Sequence, residues 1–227
     1  MTGIIGAMDV EVEELKKAVS SPVKTVLGGI EFVSGKINGS AVCIARCNPG
    51  KVNAALCTQL MIDKYSPDCV INLGIGCSLS DSVKIKDVVI ATDVCQYDID
   101  TTGCGDPLGF ISGLGVIKIS ADSALSDALE RAALKTGVRV HRNTIASGDT
   151  FISSKEVKES VARNFGAVCG EMEGGAVGQV CFANGVPFAV LRSVSDGGDE
   201  ASAIDYPTFK TIAAAASTKA IFEFLKA

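Results

Sequence analysis

Apolar positions along the chain fall into short alternating runs at first and into mixed runs of both periods later. Residues 2–7 read as a short buried strand, and a helix starts near Asp9 with Val12 and Leu15 on its inner face. Strands are predicted over 23–27, 30–37 and 41–45, separated by Gly28-Gly29 and Asn38-Gly39. Asn-Gly between alternating runs is a strong hairpin signal, because both central turn residues must reach positive φ. After Gly50 the period changes. A helix is expected over 52–65, with Val52, Ala55, Leu56, Leu60 and Ile62 partly on one face, then a buried strand over 69–73 and another over 86–95. A Gly-rich stretch over 97–115 has little regular pattern, and loops of that length in compact domains usually serve a site or an interface. Helices follow over 121–136, 155–164 and 172–184, with strands over 139–146 and 187–194. From Pro207 to the end, Phe209, Ile212, Ala213, Ala216, Ala220 and Phe224 form the stripe of a long helix.

Early hairpins followed by alternating strands and helices imply an α/β fold, a three-layer α/β/α sandwich around a central mixed, twisted sheet. No linker, repeat or low-complexity segment interrupts the pattern, so residues 1–227 are expected to form a single domain. With aromatics at 5% and no Trp, that core must be built from Ala, Val, Ile and Leu. The net charge of −5 argues against a nucleic-acid partner, which needs a surplus of Lys and Arg on one face. No apolar run approaches the roughly 18 residues of a membrane span, and no signal peptide is recognised at the start. The nine cysteines are odd in number and scattered, with no Cys-x-x-Cys pair, and read as small reduced residues of a cytoplasmic protein.

In open α/β sheets a ligand lies beyond the carboxyl ends of the strands. Four such places carry polar groups: Asp9 and Glu11 after the first strand, Ser147-Gly148-Asp149-Thr150-Phe151-Ile152, Glu171-Met172-Glu173, and Arg192-Ser193-Val194-Ser195-Asp196. Arg192, Val194 and Asp196 would share one strand face if the strand runs that far. Each acid also has a plain reading. Glu11, with Glu13 and Glu14, suits a helix dipole, Glu173 suits a helix start, and Asp196 before Gly197-Gly198 suits a turn. Together Glu11, Glu173 and Asp196 make a carboxylate cluster at one edge of the sheet. Other chemistries fit poorly. Gly74-Ile75-Gly76 lacks the third glycine of a dinucleotide fingerprint, and Gly50-Lys51-Val52 is no phosphate loop. The single histidine, His141, stands apart from metal-ligand or triad spacing, so no metal and no cofactor are expected.

Met8-Asp9-Val10-Glu11-Val12, Ser147 to Ile152, Glu171-Met172-Glu173 and Arg192 to Asp196 occur in an order and spacing that resemble the methylthioadenosine/S-adenosylhomocysteine nucleosidases. Gly3-Ile4-Ile5-Gly6-Ala7-Met8 and Asn72-Leu73-Gly74 add to the likeness, which spans essentially the whole chain. The resemblance implies a nucleoside phosphorylase-like fold and hydrolysis of the N-glycosidic bond of adenine nucleosides. It implies that Asp196, positioned by Ser195, protonates the purine at N7, and that Glu173 holds the ribose hydroxyls with Met172 against the sugar. Glu11, helped by Arg192, would orient and deprotonate the water. Phe151 would stack on the base while the Ile152 backbone reads its edge, and Met8 and Tyr206 would line an apolar 5′ pocket. Three positions depart from the family pattern: Ile75 where a small hydroxyl residue is usual near the water, Cys47-Asn48-Pro49-Gly50 in place of Ser-Gly-Ile-Gly, and Tyr97 where a His precedes Asp98.

Two rival functions remain in view. A purine nucleoside phosphorylase of the same fold would need a cationic phosphate cradle, typically an Arg at Asn72 and a Ser at Ile75; the carboxylate of Glu11 would repel an anion there. A non-catalytic nucleoside-binding protein would be expected to lack one of the three acids. A homodimer is also implied, with the 98–115 loop completing the neighbour's 5′ pocket.

Overall fold

The computed structural model describes residues 1–226; the last residue of the expected C-terminal helix, Ala227, lies outside the described residues. Ten strands and six helices follow one another as β1 (Thr2–Gly6), α1 (Asp9–Ala18), β2 (Ser20–Leu27), β3 (Ile30–Ile37), β4 (Ser40–Arg46), α2 (Lys51–Tyr65), β5 (Cys69–Ser78), β6 (Val88–Gln96), β7 (Lys118–Ser120), α3 (Ser123–Lys135), β8 (Val140–Ser147), α4 (Lys155–Phe165), β9 (Cys169–Glu171), α5 (Gly174–Asn184), β10 (Phe188–Asp196) and α6 (Ser202–Phe224). The hairpins form as their turn residues require: Gly28 and Gly29 join β2 to β3 at φ 56° and 77°, and Asn38 and Gly39 join β3 to β4 at 51° and 87°.

One mixed sheet contains all ten strands. Its order runs β10-β6-β8-β9-β5-β1-β4-β3-β2, β7 pairs with β6, and β5 also pairs with β10. That last pairing is parallel and runs from Phe188 opposite Val70 to Asp196 opposite Cys77. It closes β5, β10, β6, β8 and β9 into a small barrel, from which β1, β4, β3 and β2 extend as an open wing. Closure departs from the open sheet that the pattern implies.

Alternation assigns the two faces. Ile4, Ile71, Leu73, Ile90, Ala189 and Leu191 pack with Val12 and Leu15 of α1, Leu129 of α3 and Ile221 of α6. Ile5, Val70, Val89 and Val190 pack with Cys57 and Met61 of α2 and Val177 and Cys181 of α5. Helices therefore cover both sides of the sheet, the layered α/β arrangement expected from the sequence.

Several local expectations change. The buried face of α2 is Ala54, Cys57, Thr58 and Met61, whereas Val52 is 78% and Leu56 46% exposed. The buried face thus lies on a different side of α2 from the expected apolar stripe. The helix expected to start at Met172 starts at Gly174, since Glu171 is held as the end of β9. The strands β7 and β9, three residues each, are too short for periodicity to reveal. The C-terminal helix begins at Ser202, so Pro207 lies inside it, and Ile212 is exposed while Ala213, Ala214, Ser217, Thr218, Ala220 and Ile221 face inward. Strand β10 does reach Asp196, but its register shifts between Val194 and Asp196. This bulge breaks the simple alternation of Arg192, Val194 and Asp196.

Glycine lets α5 lie close to the sheet. A Cβ on Gly178 would stand 2.7 Å from Val94 Cγ2 and 2.9 Å from the Phe188 ring. The substitution Gly178→Leu is therefore expected to lower stability by about 1–3 kcal/mol through overpacking, despite leucine's better helix propensity of roughly 1 kcal/mol. A urea midpoint at or above that of the wild type would show that α5 has room to move.

Candidate active site

The pocket opens where β1, β5, β8, β9 and β10 end. Its lining includes Met8, Glu11, Ile75, Phe151, Ile152, Met172, Glu173, Ser195, Asp196 and Tyr206. Ten residues selected from the sequence are thus brought together around one cavity. Arg192, the eleventh, is 1% exposed and lies behind the wall, ion-paired to Glu171 and 3.5 Å from Glu173 Oε2.

Each acid is seated by different elements. Glu11, on the first turn of α1, is 2% exposed. Its Oε2 accepts from the backbone N–H groups of Ala7 at 2.7 Å and Met8 at 2.8 Å, and its Oε1 accepts from Ile75 N at 3.1 Å. A Cβ on Gly74 would stand 2.7 Å from that Oε1, so only glycine lets β5 pass so near. Burial pushes the Glu11 carboxyl up, and Arg192 with the three backbone donors only partly offsets this. The helix-dipole reading of Glu11 is therefore incomplete: the carboxylate turns inward, away from Glu13 and Glu14, which are exposed.

Glu173 caps no N–H of its own helix. Its Oε1 accepts from Gly50 N at 3.0 Å, across the pocket mouth from the start of α2. Burial and the neighbouring Glu171 carboxylate push Glu173 up. Asp196 Oδ2 accepts from the Ser195 hydroxyl at 2.8 Å and Oδ1 from Gly198 N at 3.1 Å. Both Ser195 and Asp196 line the cavity because of the bulge, while Val194 stays in the core.

Glu171, which the sequence reading named only within the Glu171-Met172-Glu173 run and gave no role, is central to the bonding of the site. It accepts from the Ser147 hydroxyl, from Glu173 N at 3.0 Å and from Gly174 N at 2.7 Å, and it pairs with Arg192. Asn72 completes the same cluster: its Oδ1 accepts from Arg192 Nη2 at 2.6 Å, and its Nδ2 donates to Ile5 O at 3.0 Å. Burial opposes the charge on Arg192, but Glu171, Glu173 and Glu11 outweigh it and hold the guanidinium above its ordinary value. The signal for Glu171 was its place two residues before Glu173 at the end of an apolar run.

The remaining walls are apolar. Ile75 packs with Met8, Tyr206, Ala213 and Ala214. Phe151, 44% exposed, meets Tyr206 edge-on at 5.3 Å, and Tyr206 Oη lies 3.2 Å from Met8 Sδ. His141 stands off the pocket, 2.8 Å from Asp87. Among the described residues no group of three or more His, Cys, Asp or Glu side chains is arranged to hold a metal ion.

A mixed sheet closed on itself, with a carboxylate cluster beside an apolar slot, defines a protein of the phosphorylase superfamily, whose family model matches residues 2–226. The 5′-methylthioadenosine/S-adenosylhomocysteine nucleosidase of Shewanella halifaxensis is 37% identical over 227 residues, 99% of this chain and 98% of that protein. A crystal structure of the Neisseria meningitidis 5′-methylthioadenosine/S-adenosylhomocysteine nucleosidase in complex with methylthio-immucillin-A superposes with a TM-score of 0.95 at 33% identity, covering 99% of this chain and 98% of the other. The futalosine hydrolase of Helicobacter pylori superposes at 0.93 with 33% identity, covering 98% and 96%. The chain belongs to the 5′-methylthioadenosine/S-adenosylhomocysteine nucleosidase family.

The raised Glu173 carboxyl has a consequence for stability. A carboxyl whose folded value lies above its unfolded value keeps the fold most stable while protonated, and stability falls as pH climbs from the ordinary value near 4.5 through the raised one. Glu173→Gln lacks this titration. Relative to wild type, it should gain stability with rising pH across that window, by at most about 1.4 kcal/mol per pH unit. A stability difference that stays flat from pH 5 to pH 9 in urea melts would mean that Glu173 carries no such strain.

Proposed function

We propose that this protein hydrolyses the N-glycosidic bond of adenine nucleosides that carry a 5′ substituent, releasing adenine and a 5-substituted ribose. The observation that carries the choice of water over phosphate is electrostatic. Among the described residues the pocket lining holds four carboxylates, Glu11, Glu171, Glu173 and Asp196, and no Lys or Arg. Arg192, behind the pocket wall, is already engaged by Glu171 and Asn72. An anionic co-substrate would find acidic side chains and no lining cation there, whereas a neutral water needs no counter-charge.

Breaking the bond builds positive charge on the sugar and negative charge on the leaving base. Asp196 delivers a proton to N7 of the purine, with Ser195 and Gly198 N fixing its carboxyl. Glu173 binds the ribose hydroxyls and its carboxylate favours the cationic sugar, with Met172 against the ring. Glu11 takes a proton from the attacking water, and its burial supports this role by making the carboxylate more basic than usual. Arg192 acts from behind, orienting the acids. Phe151 stacks on the base beside the Ile152 backbone. Met8, Ile75 and Tyr206 form the apolar end for the 5′ group, whose identity ranges over methylthio, homocysteinyl, deoxy and aminofutalosine-like substituents. All nine cysteines are free and seven of them are buried, which suits a reducing cytoplasm.

Adenine release from 5′-methylthioadenosine should proceed in phosphate-free buffer and stay unchanged when phosphate is added. Asp196→Asn should lower kcat by about 10²–10⁴-fold. Release that depends on phosphate would make the enzyme a phosphorylase, and an Asp196→Asn enzyme with full kcat would remove the general acid from the scheme.

The protein is further proposed to act as a homodimer. Val52 and Leu56 of α2 and Phe182 of the adjacent α5 are exposed apolar groups on one layer, the side expected to be covered by a second copy. Gel filtration with light scattering should give twice the chain mass; a stable, active monomer would refute it.

A further inference from the structure

Glu173 and the loop that carries Phe151 and Ile152 sit on different elements, yet both are tied to the start of α2. Helix α2 has a bare N-terminus: its cap, Gly50, at φ 103°, has no side chain to accept a hydrogen bond, and its first turn carries no acid. Acceptors come from elsewhere. Gly50 N donates to Glu173 Oε1 at 3.0 Å, and the next residue, Lys51, donates its backbone N–H to Asp149 Oδ1 at 2.7 Å. Asp149 N in turn donates to Asp98 Oδ2 at 2.9 Å, and Asp98 Oδ1 receives Lys51 Nζ at 2.5 Å. The three residues close a ring. Lys51 is its only cation; its side chain, 16% exposed, pairs with Asp98 while its backbone N–H holds Asp149.

We propose that Lys51 and Asp98 are positioning residues of the reaction, which through this ring hold both Glu173 and the 149–152 loop at the pocket. Among the described residues the only other side-chain bond to Glu173 comes from Arg192, at 3.5 Å, so the Gly50 N–H is its closer anchor. Removing the ammonium would leave Asp98, which holds the Asp149 backbone N–H, without its counter-charge. The start of α2 would then shift, and Gly50 N with it. A displacement near 1 Å at a reacting group costs about 100-fold in rate.

This inference rests on the reading of Glu173 as the ribose-hydroxyl ligand, and the test separates the two. Initial rates are compared for 5′-methylthioadenosine and its 3′-deoxy analogue. A wild-type preference for the riboside is expected; its absence would overturn the Glu173 reading alone. Lys51→Met should lose about 10–100-fold in kcat/KM and shrink the riboside preference several-fold, and Lys51→Arg should restore both. A Lys51→Met enzyme with the wild-type preference, at whatever overall rate, overturns the positioning role. Should that variant fail to fold, Asp98→Asn removes the same ion pair and is judged by the same ratio. Without a wild-type preference, the ring is judged through the Phe151 loop instead: KM for 5′-methylthioadenosine should rise several-fold in Lys51→Met, and an unchanged KM overturns the proposal.

Discussion

A single guanidinium, Arg192, sits at the centre of the molecule with almost no access to solvent, and most of the site is arranged around the need to keep it charged there. An isolated charge in such a place is costly by several kcal/mol even after relaxation. Here Glu171 pairs with it, Asn72 accepts a second bond, and backbone carbonyls of Asn72 and Leu191 take Nη1 at 3.3 Å and 3.0 Å. The pair then recruits further donors. The carboxylate of Glu171 also receives Ser147, Glu173 N and Gly174 N, so β8, β9, β10 and the start of α5 are locked by one cluster. Replacing any member leaves a buried polar group unmatched, which is why these elements meet in one geometry.

Closure of the sheet follows from the same cluster. Arg192 lies opposite Gly74 in the β5–β10 pairing, and a side chain at position 74 would run into Glu11 Oε1 at 2.7 Å. The close passage of β5 by Glu11 therefore depends on a glycine, at the place where the ends of β1, β5 and β10 converge. Helix α6 secures the far side: Ser217 Oγ donates to Gly74 O at 2.8 Å and Thr218 Oγ1 to Glu11 O at 3.2 Å. Where α6 approaches Gly74 and Glu11, its inward residues are alanine and small hydroxyl side chains.

Legibility in the sequence tracked the range of the interactions involved. The hairpins at Gly28-Gly29 and Asn38-Gly39 are local and were readable from turn chemistry. Glu11, Glu173 and Asp196 were readable because apolar runs end just before them, and strand ends are where mixed α/β sheets place ligands. The pairing of β5 with β10 spans more than a hundred residues and leaves no periodic trace, so the closed barrel was not. On α2 the pattern pointed to Val52 and Leu56 as core, although an apolar stripe does not say which of two surfaces, sheet or solvent side, it will meet. The ring of Lys51, Asp98 and Asp149 joins the start of α2 to two separate loops, and each residue alone looks like an ordinary surface charge. Glu171 was hidden differently: beside Glu173 it reads as one of a pair, and only its burial against Arg192 separates their tasks.

That separation of tasks explains how one arginine serves three acids. Glu171 is nearest and takes the ion pair. Glu11 and Glu173 share what remains of the positive field, and both are pushed up by burial despite it. If the guanidinium faced Glu11 directly, its pull would make that carboxylate a weaker base for a water proton. With the guanidinium paired to Glu171, Glu11 keeps enough stabilisation to ionise, from three backbone N–H groups and the Arg192 charge, while remaining more basic than an exposed carboxylate. The apolar neighbours Ile75, Met8 and Tyr206 act in the same direction, because they exclude bulk water from the end of the pocket beside Glu11. An isoleucine at position 75 thus fits the chemistry without a hydroxyl: its backbone N–H holds Glu11, and its side chain maintains the dry surroundings that keep the carboxylate basic.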